Sequence, residues 1–168
     1  DLDAAWARDI RTVDTTNASS YPVSEWALAL MLISLRNGGA HFRSLIAGET
    51  GMKRELFPTM QGELWGKRVG LIGCGHMGRR LMKLIAPFQT DILVYDPYLP
   101  KELPEALGFT QTSLENVLSL SDVVVCLVPH TPRTEKMLGA AEFALLRPGA
   151  VFVNVSRGKV VDSDALIA

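Results

Sequence analysis

The feature that most constrains the fold of this chain is Gly73-Cys74-Gly75-His76-Met77-Gly78, which follows the apolar run Val69-Gly70-Leu71-Ile72. A second apolar run, Ile92-Leu93-Val94-Tyr95, ends at Asp96, eighteen residues after Gly78. That order predicts a strand, a glycine turn, a helix, a second strand and an acid, the arrangement a dinucleotide site requires. Gly73 can make the tight turn, Gly75 leaves room for backbone to approach a pyrophosphate, and Gly78 lets the new helix pack closely on the sheet. The phosphates would lie on the helix N-terminus, where free N–H groups and the positive end of the dipole attract anions. Asp96 is placed to accept hydrogen bonds from an adenosine ribose and to repel a 2′-phosphate, so NAD is favoured over NADP. The alternatives are a glycine turn that serves packing alone and an acid that opens the Asp96-Pro97 turn.

The rest of the chain follows the same alternation. Short runs rich in Val and Ile predict strands at 68–72, 91–95, 123–128 and 150–155, with helices at 76–88, 102–107, 113–120 and 140–146. Strands alternating with helices give an α/β fold, a doubly wound parallel sheet. Ahead of it, residues 1–20 suggest a helical scrap, a brief strand over 10–13 and a polar turn over 15–20. A helix follows, with Pro22 in its first turn and its end near Leu35; a second runs over 40–47, and 49–66 is a loop. The run from Trp26 to Ile33 is apolar on every face. It is buried either between layers of its own domain or against a partner subunit, and the second is preferred. A homodimer through the helix over residues 23–35 is therefore expected.

With 168 residues, one domain is the working expectation. The chain does not open on Met and stops without a helix-ending residue, which suggests a piece of a longer protein, with 1–20 a remnant of a connection and 21–168 the nucleotide domain. A net charge of −1 gives no broad electrostatic case for nucleic acid or an anionic membrane, so the expected partner is a small molecule. No signal-peptide pattern is present, and the longest apolar run is far short of the ~20 residues that span a bilayer. Cys74 and Cys126 lack metal-ligand spacing and are expected as reduced, buried thiols of a cytoplasmic protein.

A second constellation stands where Ser156-Arg157-Gly158 leaves the last strand. Carboxyl ends of strands border the ligand crevice in open α/β sheets, so Arg157 can hold a carboxylate through two parallel hydrogen bonds and polarise a carbonyl. A solvated arginine, or one paired with Asp162, is the alternative. The basic residues Lys67, Arg68, Arg79, Arg80 and Lys83 around the glycine turn are best explained as a solvated face, with Arg79 near enough to reach a phosphate.

Three stretches together carry a resemblance. Asn154-Val155-Ser156-Arg157-Gly158-Lys159-Val160-Val161-Asp162, Val128-Pro129-His130-Thr131-Pro132-Arg133-Thr134 and Leu146-Arg147-Pro148-Gly149-Ala150 resemble the NAD-dependent D-isomer-specific 2-hydroxyacid dehydrogenases. Val23-Ser24-Glu25-Trp26-Ala27-Leu28 resembles that family's helix ahead of the nucleotide fold, which packs across the dimer. The resemblance implies NAD as cofactor and a small 2-hydroxy or 2-keto acid as substrate, with hydride passing between them. It implies Arg157 on the substrate carboxylate and carbonyl, His76 and Met77 over the pyrophosphate, and Asp96 on the ribose. Val128 falls on the adenosine side, and Val155 and Ser156 near the nicotinamide. Trp26 departs from the smaller residue often found there. The family's general acid/base His and its orienting Glu would lie beyond Ala168, so the fragment alone is expected to be inactive. His130 is the tempting substitute but matches a non-catalytic turn. An NAD-sensing corepressor on the same scaffold is the competing reading; a nucleotide-fold methyltransferase would not explain residues 154–162.

Overall fold

In the computed structural model, residues 2–13, 15–49 and 62–167 are described. Five parallel strands form one sheet: β1 (Arg68–Ile72), β2 (Asp91–Tyr95), β3 (Thr110–Gln111), β4 (Val123–Cys126) and β5 (Val151–Asn154). Their spatial order is β3-β2-β1-β4-β5. The chain therefore runs outward from β1 in one direction and then restarts beside it in the other. This reversal between β1 and β4 is the topological switch point at which α/β sheets open a crevice.

The strands form because both faces of the sheet are covered. In β4, Val123 and Val125 join one core with Leu71, Leu81, Ile85 and Met31, whereas Val124 and Cys126 join another with Ile72, Val117, Leu118 and Leu138. A strand buried on both faces is continuously apolar, as this one is. Each large side chain removed from water in this way contributes about 1.5–3 kcal/mol.

The helices between strands keep a single apolar stripe. In α4 (His76–Ile85), Gly78, Leu81, Met82 and Ile85 are buried, a spacing of three and four residues that places them on one face. A single 3-10 turn, Ala86–Phe88, completes the expected 76–88 segment. The short helices α5 (Leu103–Leu107) and α6 (Leu114–Leu120) lie where expected, and the Ser113 hydroxyl caps α6 by accepting from the Asn116 N–H at 3.2 Å. The helix expected over 140–146 is shorter, α7 (Ala140–Phe143), and the chain closes with α8 (Ser163–Ile167).

The N-terminal segment departs from expectation. After α1 (Leu2–Trp6), residues 10–13 form no strand and pair with none of the five strands of the sheet. The polar stretch expected as a turn is instead the start of α2 (Thr16–Leu35), so Pro22 lies inside the helix and not in its first turn. Two serines explain how polar residues sit there: Ser20 and Ser24 are buried, and their hydroxyls donate to the Asn17 and Tyr21 carbonyls at 2.7 and 2.9 Å. The buried face of α2 is Ser20, Ser24, Ala27, Met31 and Leu35, which packs on α4 and β5. Trp26, by contrast, is 58% exposed, so the apolar run is covered by its own domain on one face. After α2 comes α3 (Gly38–Ile46), and the expected loop over 49–66 lies mostly outside the described residues. Strand β3 was not expected at all, and β4 and β5 end before Val128 and Val155.

Candidate functional site

The glycine turn joins β1 to α4 directly beneath the switch point. Gly73 has φ +97°, a conformation in which a side chain is strained, and its N–H donates to the Tyr95 carbonyl at 2.8 Å. A Cβ at Gly78 would stand 2.8 Å from the Gly73 carbonyl oxygen, so α4 lies against the turn at a separation that excludes every other residue. A Cβ at Gly75 would meet nothing within 4 Å: the space over this residue is open. Turn, close packing and open approach thus fall on three separate glycines. Beyond Gly75, the first N–H groups of α4, those of His76, Met77 and Gly78, have no helical carbonyl to bind.

Asp96 sits at the carboxyl end of β2, next to the turn. Its Oδ2 accepts from the Cys74 N–H at 2.9 Å and its Oδ1 from the Tyr98 N–H at 3.0 Å. A carboxylate has about four acceptor positions, so each oxygen keeps capacity for a further donor such as a ribose hydroxyl. Cys74 itself is inert. Burial, opposed by Arg79 and assisted by Asp96, pushes its thiol up to about 11. Burial also raises Cys126, against a Ser156 hydroxyl 3.6 Å from its sulfur.

The segment after β5 is fixed by a residue to which sequence reasoning gave no role. Asn154 Oδ1 accepts from the Ser156 N–H at 3.0 Å and from its hydroxyl at 2.8 Å, while Nδ2 donates to the Arg157 carbonyl at 3.2 Å. Side-chain bonding of this kind, two residues along the chain, is an Asx turn, and the Asn-Val-Ser order was the available signal. Arg157 is exposed, donates to the Ser156 carbonyl at 2.9 Å and forms no ion pair among the described residues. Asp162, its suggested partner, is bound to Lys136 at 3.1 Å; that contact raises the lysine and lowers the aspartate. Val128 packs against the turn, its Cγ1 3.1 Å from where a Cβ of Gly73 would be. Val155 follows β5, with its N–H on the Cys126 carbonyl at 3.3 Å. All the sequence-predicted site residues therefore lie at or just past the carboxyl ends of β1, β2, β4 and β5. His130 stands apart in its turn, paired with Glu135 at 3.4 Å, and His41 is half-buried on α3.

Residues 28–168 match the family described as "D-isomer specific 2-hydroxyacid dehydrogenase, NAD binding domain". The chain belongs to this family. It is 36% identical over 168 residues to a D-3-phosphoglycerate dehydrogenase of Methanocaldococcus jannaschii, covering 99% of this chain and 31% of that protein. The Escherichia coli K12 D-3-phosphoglycerate dehydrogenase is 34% identical over 174 residues, with 99% of this chain and 39% of that protein covered. Among solved structures, the Aquifex aeolicus D-lactate dehydrogenase complexed with NAD and lactic acid superposes with a TM-score of 0.82 at 29% identity, covering 99% of this chain and 49% of that one. The TT0316 protein of Thermus thermophilus gives 0.87 at 30% identity, covering 99% and 52%. The chain thus spans about a third of the curated relatives and about half of the solved chains. Among the described residues, no helix is long and apolar enough to cross a membrane, and no cluster of three or more His, Cys, Asp or Glu could hold a metal ion.

Proposed function

We propose that this chain is the cofactor-binding part of an oxidoreductase that transfers a hydride between NAD(H) and a D-2-hydroxy acid or its 2-keto acid. The observation that carries the reading is the open space over Gly75 between a turn held by Gly73 and a helix held by Gly78, beside the spare acceptor positions of Asp96. NAD, when bound, would supply a nicotinamide that gives or takes the hydride.

The N–H groups of His76 and Met77 bind the pyrophosphate, and Asp96 accepts from the adenosine ribose while its charge repels a 2′-phosphate. Val128 lines the adenosine side, and Val155 and Ser156 border the nicotinamide on the backbone that Asn154 fixes. Arg157, which forms no ion pair among the described residues, would hold the substrate carboxylate and polarise the adjacent carbonyl. Three of the four relatives named above are dehydrogenases by name, which favours this reading over a corepressor. We place the nucleotide domain at residues 21–168 and a connecting segment at 1–20, with α2 continuous across that boundary. We also infer a homodimer through the helix over residues 23–35, supported by the exposed Trp26 and by Phe42, Leu45 and Ile46 exposed on the neighbouring α3. A monomer by light scattering at high concentration would count against it.

The test is calorimetric titration with NADH and, in parallel, NADPH. Saturable NADH binding with weaker NADPH binding is the expected result. Equal binding of both would show that Asp96 does not discriminate between the cofactors, and no binding of either would refute the reading.

A further inference from the structure

The basic residues of α4, expected as a solvated face, are gathered by the fold into a cavity. His76, Arg79, Arg80 and Lys83 follow the three- and four-residue spacing of one helix face, next to the stripe that is buried. Their side chains line a pocket of about 190 Å³ whose other wall is the start of α2, with Asn17, Ser20 and Tyr21. Among the described residues, no acidic one lines it. Among the described residues Arg79, Arg80 and Lys83 form no ion pair, whereas Arg68, the neighbouring cation of β1, is bound to Asp91 at 2.7 Å.

Arg80 supplies an independent observation. Its guanidinium carbon lies 4.0 Å from the centroid of the Tyr21 ring, a cation–π contact that fixes the group in the wall. Its Nε is buried and has no hydrogen-bond partner. A buried guanidinium N–H without an acceptor is costly, and native structures satisfy such groups with protein, water or an ion. Among the described residues, none supplies an acceptor.

We propose that this pocket binds a phosphate group, as inorganic phosphate or as the head of a small phosphate monoester, separately from the cofactor pyrophosphate. Three cations distributed over two helical turns match a tetrahedral dianion with oxygens on all sides. The volume suits one phosphate with a short ester arm and is too small for a dinucleotide. The pyrophosphate lies on the backbone N–H groups of the first turn, while the phosphate lies along the flank on side chains of the first and second turns. His76 is common to both, so two anions on the same helix repel and each weakens the other by a finite factor.

The experiment uses the whole chain and does not depend on the proposed NAD reading. Inorganic phosphate and glycerol phosphate are each titrated at constant ionic strength, followed by phosphorus NMR and calorimetry. Saturable binding is expected, with Lys83→Gln and Arg79→Gln each weakening it about tenfold, the scale of one charge-assisted hydrogen bond. Lys83 is exposed, so its replacement leaves the fold intact, as a thermal melt checks. Tighter binding of glycerol phosphate marks the ester as the natural form; equal binding marks the phosphate alone. Absence of saturation, or saturation that both variants leave unchanged, overturns the proposal. Where NADH binds, its apparent Kd should rise by a finite factor and level off as phosphate rises; an increase without limit identifies the pocket with the pyrophosphate subsite and overturns the separate site.

Discussion

A single methyl group added at Gly78 and at Gly75 should have opposite consequences. At Gly78 the new Cβ would lie 2.8 Å from the Gly73 carbonyl oxygen, well inside the 3.4 Å at which ordinary contact begins. That oxygen cannot retreat, because Gly73 is tied to the Tyr95 carbonyl and backed by Val128. The strain must be relieved by moving α4 away from the sheet, which loosens Leu81, Met82 and Ile85 together. Overpacking of this kind costs about 1–3 kcal/mol and occasionally more, here near or above the upper end because backbone is involved. Alanine returns about 1 kcal/mol through its better helix propensity. A net loss of about 2 kcal/mol follows, and a chain of this size should lose roughly 4–8 °C in Tm. Gly75→Ala meets no atom and should change Tm by less than about 4 °C, the effect of up to 1 kcal/mol in N-cap preference. It should nevertheless weaken NADH at least about tenfold, because the methyl occupies the approach to the N–H groups of α4. Thermal denaturation and NADH calorimetry on both variants separate the two effects. A Gly78→Ala protein that melts at or above the parent temperature would refute the reasoning, since propensity would then outweigh the contact.

Further outcomes follow from the same contacts. Asn154→Ala should cost about 1–3 kcal/mol, because it frees the Ser156 N–H, the Ser156 hydroxyl and the Arg157 carbonyl at once, and should weaken NADH several-fold; urea melts and calorimetry check this. Arg157→Lys should leave Tm and NADH affinity nearly unchanged but reduce kcat/KM for keto-acid reduction in the intact enzyme by at least about tenfold, as one charge cannot reproduce the two-pronged contact. Cys74 titrates at 9.0 when unfolded and about 11 when folded, so the unfolded state binds fewer protons in between and stability falls as pH rises through that window. Chemical denaturation should show a loss on the order of 2 kcal/mol by pH 11 that Cys74→Ser removes, leaving only the loss that comes from the likewise raised Cys126. Lys136→Met should lower stability at neutral pH, and its deficit should shrink below pH 3.8, where Asp162 loses its charge, and above pH 10.5, where the lysine does; melts across that range decide it.

The parts legible in the sequence are those whose cause is local. Strands β1 and β2 begin and end as expected, because an unbroken apolar run meets glycine in one case and Asp-Pro in the other. The three glycine roles were likewise readable, since each depends on backbone shape within six residues. Strand β3 was not, because Thr110 and Gln111 are polar, exposed and extended only through pairing with Leu93 and Val94. The start of α2 was hidden for a related reason: Ser20 and Ser24 resemble turn residues until their hydroxyls turn back onto helix carbonyls against α4. Arg157 could be placed at a strand end but not shown free of Asp162, which depends on Lys136 approaching from twenty-six residues away. The cavity beside α4 was illegible because its second wall comes from α2.

On the proposed reading, the Asp96 carboxylate would make cofactor preference and loop architecture one trait. The same oxygen pair that would discriminate against a 2′-phosphate also holds the Cys74 N–H of the turn and the Tyr98 N–H beyond the strand. A change to NADP use therefore cannot proceed through an apolar residue at this position without leaving two backbone donors unpaired. It must bring a replacement acceptor for two backbone donors along with the new positive charge, so the path from one nicotinamide cofactor to the other crosses a less stable intermediate sequence.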